Sequence, residues 1–453
     1  MNIALFLKKN ITKMPFYLGN ITAKIPYSIR PGISSTYNLR VKEIREFEDM
    51  SNDDKEIHLY KQMKNITIYA YENIQFYKEY YLSKEFNPKD DLNSFEDIKK
   101  IPIINKDILR KYDIEDRSGM IKNRYKVNTG GSSGSPFSFY ITPDSMGTEW
   151  AHMHNIWKNL DFVYCDLKVV FGGRSDVSNG IEYDSLRHSY AIDLYTDYNK
   201  IYNKIFNVFK TKPIKYFHGY PSAIYDFVLF LEQNEELLNI VKSKVKGVFF
   251  GSEFPIPLFR DKIEKVLNVK TISWYGHTER TILAGEKEVR GRYYPFQTYG
   301  YTEAVTNSDN TLSLVGTSFY NLSSPFIRYN TDDTVSDVTY LNNKNILESF
   351  TILDGRKGDF ILDKKGKSIS LTGLIFGRHH EIFDFIKYLQ IGQNNMGFAT
   401  IYYVANEVLD TIKLFDSSNI DIKFSFVRID SPFRTKAGKI LLKIKEKNEN
   451  TVS

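Results

Sequence analysis

Apolar positions in the first third of the chain recur at helical spacing. Leu59-Tyr60-Lys61-Gln62-Met63 and Ile66-Thr67-Ile68-Tyr69-Ala70-Tyr71 predict a helix, and Ser94-Phe95-Glu96-Asp97 offers a capped start for another. Ile101-Pro102-Ile103-Ile104 follows, with a further helix from Lys106. The pattern then changes. Leu167-Lys168-Val169-Val170-Phe171 is a short apolar run, and Ile214–Phe217, Val245–Phe250 and Val269–Trp274 are three more. Between them lie amphipathic stretches: residues 199–209 with Ile201, Ile205, Val208 and Phe209 on one face, a helix from an N-cap at Ser222, and one opened by Pro257. Strands alternating with helices predict a parallel sheet covered on both faces, with ligands bound beyond the carboxyl ends of its strands. Each of the four runs ends in a Gly-containing turn, so these turns should surround one crevice.

After residue 310 the segments are shorter and strand-rich. Leu353-Asp354-Gly355-Arg356-Lys357-Gly358-Asp359 reads as a joint, which divides the chain into residues 1–355 and a small α+β unit over 356–453.

Composition adds exclusions. The net charge of +6 comes from bases scattered among acids without a long basic block, which does not suit a nucleic-acid binder. The single cysteine, Cys165, gives neither a disulfide nor metal-ligand spacing. The run at Ile3–Leu7 is too short for a signal peptide and no stretch has the length of a membrane span, so a cytoplasmic protein is expected. Residues 3–20 mix Lys with apolar residues, which leaves a peripheral membrane helix there as the minor alternative.

The strongest local feature is Asn128-Thr129-Gly130-Gly131-Ser132-Ser133-Gly134-Ser135-Pro136, leading into the alternating Phe137-Ser138-Phe139-Tyr140. Glycines and small hydroxyls let backbone wrap a phosphate chain and donate to its oxygens. The loop lacks the Gly-Lys ending of a Walker motif and runs into a strand, and by composition a flexible linker is an equal reading. It resembles the phosphate loop of adenylate-forming enzymes, above all the phenylacetate–CoA ligase branch and the CapK family of capsular polysaccharide biosynthesis. The resemblance recurs in order from about residue 45 to 445. His218-Gly219-Tyr220-Pro221-Ser222 is similar to the loop beside the acyl pocket, and Gly251-Ser252-Glu253 to the adenine-side loop. Tyr275-Gly276-His277-Thr278-Glu279 is similar to the Tyr-Gly-x-Thr-Glu motif, and Arg328-Tyr329-Asn330-Thr331-Asp332-Asp333 to the ribose motif. Gly355–Asp359 is similar to the hinge and Arg434-Thr435-Lys436-Ala437-Gly438-Lys439 to the C-terminal lysine motif.

The resemblance implies an α/β fold: a large N-terminal domain with mostly parallel sheets flanked by helices, plus a small mobile C-terminal α+β domain. It implies ATP and Mg2+ as cofactors and assigns roles. Thr129, Gly130, Gly131, Ser132, Ser133, Gly134, Gly251, Ser252 and Glu253 would surround the nucleotide. Tyr275, beside Gly276, would stack on adenine, Thr278 would bond the α-phosphate, and Glu279 would bind Mg2+, a cation that prefers carboxylate oxygens. Asp333 would accept the ribose hydroxyls and Arg356 would touch ribose or phosphate. His218, Gly219, Tyr220, Pro221 and Arg174 would contact the acyl substrate. Lys439 would bridge the carboxylate and α-phosphate as charge spreads in the transition state; its many neighbouring lysines equally suit a solvated face.

Three positions depart from the family pattern. Ser135 stands where a phosphate-loop Lys is common, Asp332 where a Gly precedes the ribose Asp, and Gly358 where an Asp hinges the domains. His152, His154, Arg174, Arg187 and His188 cluster in the expected acyl-pocket region, where Arg suits a carboxylate and His is more often a core residue. The reading is a ligase forming acyl-AMP from a carboxylate, such as a sugar acid or amino acid, and passing it to an amine in capsule or exopolysaccharide synthesis, in association with membrane-bound machinery. The alternatives are a phenylacetate-type acyl–CoA ligase and a non-catalytic nucleotide-binding scaffold.

Overall fold

The computed structural model describes residues 12–129, 137–172, 177, 179–194, 196–253, 255, 257–308, 310–341, 345–352, 360–371, 374–375, 378, 380–433 and 442–444. Strands β1 (Tyr125–Thr129) and β2 (Phe137–Ile141) pair antiparallel, with Thr129 opposite Phe137. Alternation in β2 buries Phe137, Phe139 and Ile141 beside Phe326 and Tyr329, while residues 130–136 of the Gly-rich segment lie outside the described residues.

The remaining strands are β3 (Leu167–Phe171), β4 (Ile181–Asp184), β5 (Ser189–Ile192), β6 (Ile214–Gly219), β7 (Gly247–Phe250), β8 (Lys270–Gly276), β9 (Leu283–Glu286), β10 (Arg292–Pro295), β11 (Gly300–Thr306), β12 (Leu312–Ser318), β13 (Tyr329–Tyr340) and β14 (Leu347–Ile352). Among the described residues they form one twelve-stranded sheet in the order β4-β5-β3-β6-β7-β8-β9-β10-β14-β13-β12-β11. Pairing is parallel from β5 to β8, as the strand–helix alternation predicts. Beyond β8 it is antiparallel, because the short connection from Gly276 to Leu283 leaves no room for a crossover helix. Strands β4 and β5 escape the sequence pattern: Glu182, Asp184 and Ser189 break their apolar runs.

Helices cover both faces of the parallel half. Helices Tyr202–Thr211, Pro221–Glu232, Glu235–Lys244 and Pro257–Leu267 bury Ile205, Phe209, Phe227, Leu231, Leu237 and Ile263 on one face. Helix Ser145–Trp157 packs Met153, Ile156 and Trp157 on the other, against Tyr216, Phe249 and Ile272. The helix expected to be capped by Ser222 begins two residues earlier. Pro221 occupies its first turn and Tyr220 its cap position, without a capping side chain. Proline's fixed φ and missing N–H suit that place.

One polar cluster ties a covering helix to the sheet. Glu286 and Arg260, both buried, pair at 2.7 and 2.9 Å, and Glu286 also accepts from Ser273 N at 2.7 Å and Gly291 N at 2.6 Å. Removing one charge strands the other, so Glu286→Gln should lower unfolding free energy by about 3 kcal/mol. The midpoint of urea denaturation checks this.

The N-terminal helical region includes Thr36–Asp49 and Asn52–Asn73, the Ser94/Asp97 capping box, and a short helix Lys106–Leu109 capped by Asn105. Toward the C-terminus, β15 (Phe360–Leu362) pairs with β16 (Ser368–Ser370). Strands β17 (Ile386–Gly392), β18 (Phe398–Ala405), β19 (Lys423–Arg428) and β20 (Lys443–Ile444) form a second sheet in the order β19-β18-β17-β20. It has its own apolar cluster around Leu389, Ile401 and Phe415. Lys367 touches the larger sheet's region through a bond to Leu194 O at 2.8 Å.

Candidate active site

The registers place Phe171, Gly219 and Phe250 in one row with Ser273 beside them. Gly172, Tyr220, Gly251 and the Tyr275–Glu279 segment therefore leave the sheet along a single edge. The turns are locked together: Tyr220 N donates to Phe171 O at 3.0 Å and Gly251 N to Gly219 O at 3.1 Å. Gly219 sits at φ +147°, and a Cβ there would lie 2.0 Å from Phe171 O, so no other residue fits between the strands. His218 Nδ1 donates to Phe249 O at 3.3 Å, with Trp157 beside it at 4.8 Å between rings. Burial, with Lys168 nearby, pulls His218 down to about 4, so it is a neutral hydrogen-bonding group at neutral pH. Pro221 is buried behind it.

Two distant motifs meet at the same edge. The Tyr275 hydroxyl donates to Asp333 Oδ2 at 2.6 Å. Gly276 is half-buried, Thr278 is exposed, and Glu279 is buried. Around Glu279 stand Lys106 Nζ at 2.9 Å, the Tyr329 hydroxyl at 3.1 Å and His277 Nδ1 at 3.1 Å. Burial pushes this carboxyl up, but Lys106 and His277 outweigh it and hold it well below the usual range. His277 is itself fixed by Thr281 at 3.0 Å. The sequence reading overlooked Lys106, and its position follows from tertiary pairing. Ile104 N donates to Arg328 O at 3.1 Å and Asn330 N to Ile104 O at 2.8 Å, which ties the Lys106 helix to the ribose-like motif.

Within that motif Arg328 is structural: buried, it grips Glu303 at 2.7 and 2.9 Å and bonds the carbonyls of Lys99 and Ile101. Asp332 adopts φ +62°, which glycine takes freely and Asp tolerates, and it is exposed, while Asp333 is half-buried. Ser252 also has a left-handed backbone, at φ +67°, between the buried Gly251 and the half-buried Glu253.

In the histidine and arginine cluster, His152, His154, His188 and Arg187 have partners within the fold. His152 is buried between Thr148 O at 2.8 Å and the Thr298 hydroxyl at 3.0 Å, His154 bonds the Tyr37 hydroxyl at 3.0 Å, and His188 bonds that of Tyr183 at 2.8 Å. Arg187 pairs with Asp184 at 2.5 Å. The backbone of Thr129 is placed at the end of β1. Gly130, Gly131, Ser132, Ser133, Gly134, Arg174, Arg356 and Lys439 lie outside the described residues.

No protein-family model matches the chain. It is 25% identical over 406 residues to Protein CapK of Staphylococcus aureus, covering 86% of each chain. A 2-hydroxyisobutyryl-CoA ligase solved in its postadenylation state with R3-HIB-AMP has a TM-score of 0.54 at 17% identity, over 88% of this chain and 91% of that one. The same ligase with 2-HIB-AMP and CoA in the thioesterification state also gives 0.54. The chain is thus similar over most of its length to Protein CapK and shares its fold with a solved adenylate-forming ligase. Its α/β architecture is that of the solved ligase, and at the edge just described the segments 218–222, 251–253, 275–279 and 328–333 lie together.

Proposed function

We propose that the protein uses ATP to activate a carboxylate as an acyl-AMP, releasing pyrophosphate, and transfers the acyl group to an amine in capsular or exopolysaccharide synthesis. The observation that carries this reading is the meeting of Tyr275, Asp333, Glu279 and Lys106 at the carboxyl edge of the parallel sheet, although they come from segments far apart in the chain. Tyr275 offers a ring face to adenine while its hydroxyl orients Asp333 toward the ribose hydroxyls. Thr278 offers an exposed hydroxyl to the α-phosphate, and Lys106 a cation to the phosphate chain where the loop itself has Ser135. Glu279 fits Mg2+: it is an ionised carboxylate with an ammonium already resting on one oxygen, and Mg2+ commonly takes one or two carboxylates plus the nucleotide's phosphates. When bound, the ion would neutralise phosphate charge.

The acyl group would lie against His218–Pro221 beneath helix Ser145–Trp157. Buried Lys168, 5.7 Å from the Trp157 ring and bonded to Arg187 O at 3.2 Å, places a cation in that wall. Such a wall suits a carboxylate with further polar groups, a sugar acid or an amino acid. Residues 1–355 hold both substrates in this reading, and residues 356–453 swing Lys439 and Arg356 over them. The capsule assignment rests on the likeness to Protein CapK. The solved ligase of the same fold was captured with CoA, which favours a thiol acceptor as the second reading.

ATP–pyrophosphate exchange across a panel of carboxylic acids is the test. Exchange with at least one polar acid is expected, and ATP binding without exchange on any acid would leave only a scaffold role. Product analysis with amines against CoA then decides the acceptor.

A further inference from the structure

The segment from Thr12 to Arg30 is docked by its inner side, first on the β4–β5 edge and then, through Tyr27, on Trp150, His154 and Tyr164. The Phe16 ring lies 5.3 Å from that of Tyr183 and 6.2 Å from His188. Gly19 sits so close that a Cβ would be 2.2 Å from the Tyr183 hydroxyl. Ala23, Ser28 and Arg30 are buried, and Arg30 bonds Ala23 O and stacks 4.8 Å over Tyr27. The outer side is the reverse of an ordinary surface helix. Helix Phe16–Thr22 turns Tyr17, Leu18 and Ile21 outward, and Ile25, Pro26 and Ile29 continue the row, with Tyr17 64%, Ile21 66% and Ile29 70% exposed. The other exposed residues from 12 to 30 are Lys13, Pro15 and Lys24. Scattered exposed apolar residues need no explanation, but a run without one polar uncharged or acidic member does.

Charge points to the partner. The first 42 residues contain seven bases, Lys8, Lys9, Lys13, Lys24, Arg30, Arg40 and Lys42, and no Asp or Glu, whereas the remaining 54 bases meet 55 acids. The scatter of charge therefore describes residues 43–453 alone, and the whole net charge of +6 resides in this segment. A second copy docked through the same face would bring a cationic, acid-free surface against itself. Among the described residues no helix is long and apolar enough to cross a membrane.

We propose that this face rests on an anionic lipid bilayer, with Tyr17, Leu18, Ile21, Ile25 and Ile29 in the interfacial layer and Lys13 and Lys24 among the head groups. The site described above is not needed for this contact, so it stands or falls independently of adenylation. Flotation of the full-length protein with phosphatidylglycerol–phosphatidylcholine vesicles tests it. The bound fraction is expected to fall roughly tenfold or more on phosphatidylcholine alone or at high salt. Ile21→Asp with Ile29→Asp should abolish flotation while the melting temperature and pyrophosphate exchange stay at wild-type values, and Lys13→Glu with Lys24→Glu should weaken it. The proposal is overturned if the wild type stays soluble beside anionic vesicles, or if the Asp variant floats equally well. Light scattering that shows a dimer dissociated by the same substitutions would equally overturn it.

Discussion

Glu279→Gln is expected to lower ATP–pyrophosphate exchange by about 10²–10³-fold, with whichever acid the wild type activates best. The amide keeps the shape of the side chain but not its charge. In the structure that charge is held ionised by Lys106 at 2.9 Å and by His277 at 3.1 Å, inside a buried pocket closed by Tyr329. Without it, a divalent ion carried by the nucleotide loses its protein carboxylate and Lys106 loses its partner. A modest loss of stability, about 1–2 kcal/mol, should accompany the catalytic defect, because Lys106 keeps access to water and is only partly stranded. Urea denaturation separates the two effects. A variant that exchanges at the wild-type rate would remove Glu279 from the phosphate site.

Lys439→Ala should reduce exchange by about 10³-fold while changing the ATP dissociation constant by less than about threefold. The bond formed in adenylation joins two anions, and a flexible ammonium bridging them acts mainly on the transition state, so its loss is a rate defect more than a binding defect. Lys436 and Lys443 are controls, because a merely solvated basic face would make all three lysines equivalent. Calorimetric titration of ATP against exchange kinetics provides the comparison. Equal, small effects at the three positions would support the solvated face.

The sheet shows how far patterning reaches. Apolar runs of four to six residues separated by amphipathic helices predict β3, β6, β7 and β8 and their parallel pairing, and these strands pair in parallel. The same rule misses β4 and β5, which are only four residues long and carry Glu182, Asp184 and Ser189 among their apolar positions. It also does not extend past Gly276, where pairing turns antiparallel for want of a crossover. Ser222 has the chemistry of an N-cap, but the adjacent Pro221 decides where the helix begins. Asp332, a departure from the family pattern, has a left-handed backbone that glycine adopts freely and Asp adopts at some cost.

The sequence by itself determined the element types of the parallel half, the edge at which its Gly-containing turns emerge, and the chemical character of Tyr275, Glu279 and Asp333. These follow from local periodicity and from which side chains stack, ionise or accept. Only the tertiary structure decided which distant groups meet. Lys106 reaches Glu279 because a two-bond bridge between Ile104 and Arg328–Asn330 aims its helix there, and no spacing along the chain encodes that distance. His152 and His154 are taken by hydroxyls far away in the chain, Thr298 and Tyr37, and His188 by Tyr183 across its own hairpin. The outward apolar row from Tyr17 to Ile29 was likewise undecided until packing on Tyr183 settled which side of the segment faces the protein. Periodicity reports that a segment has two faces, and long-range packing chooses which one is covered.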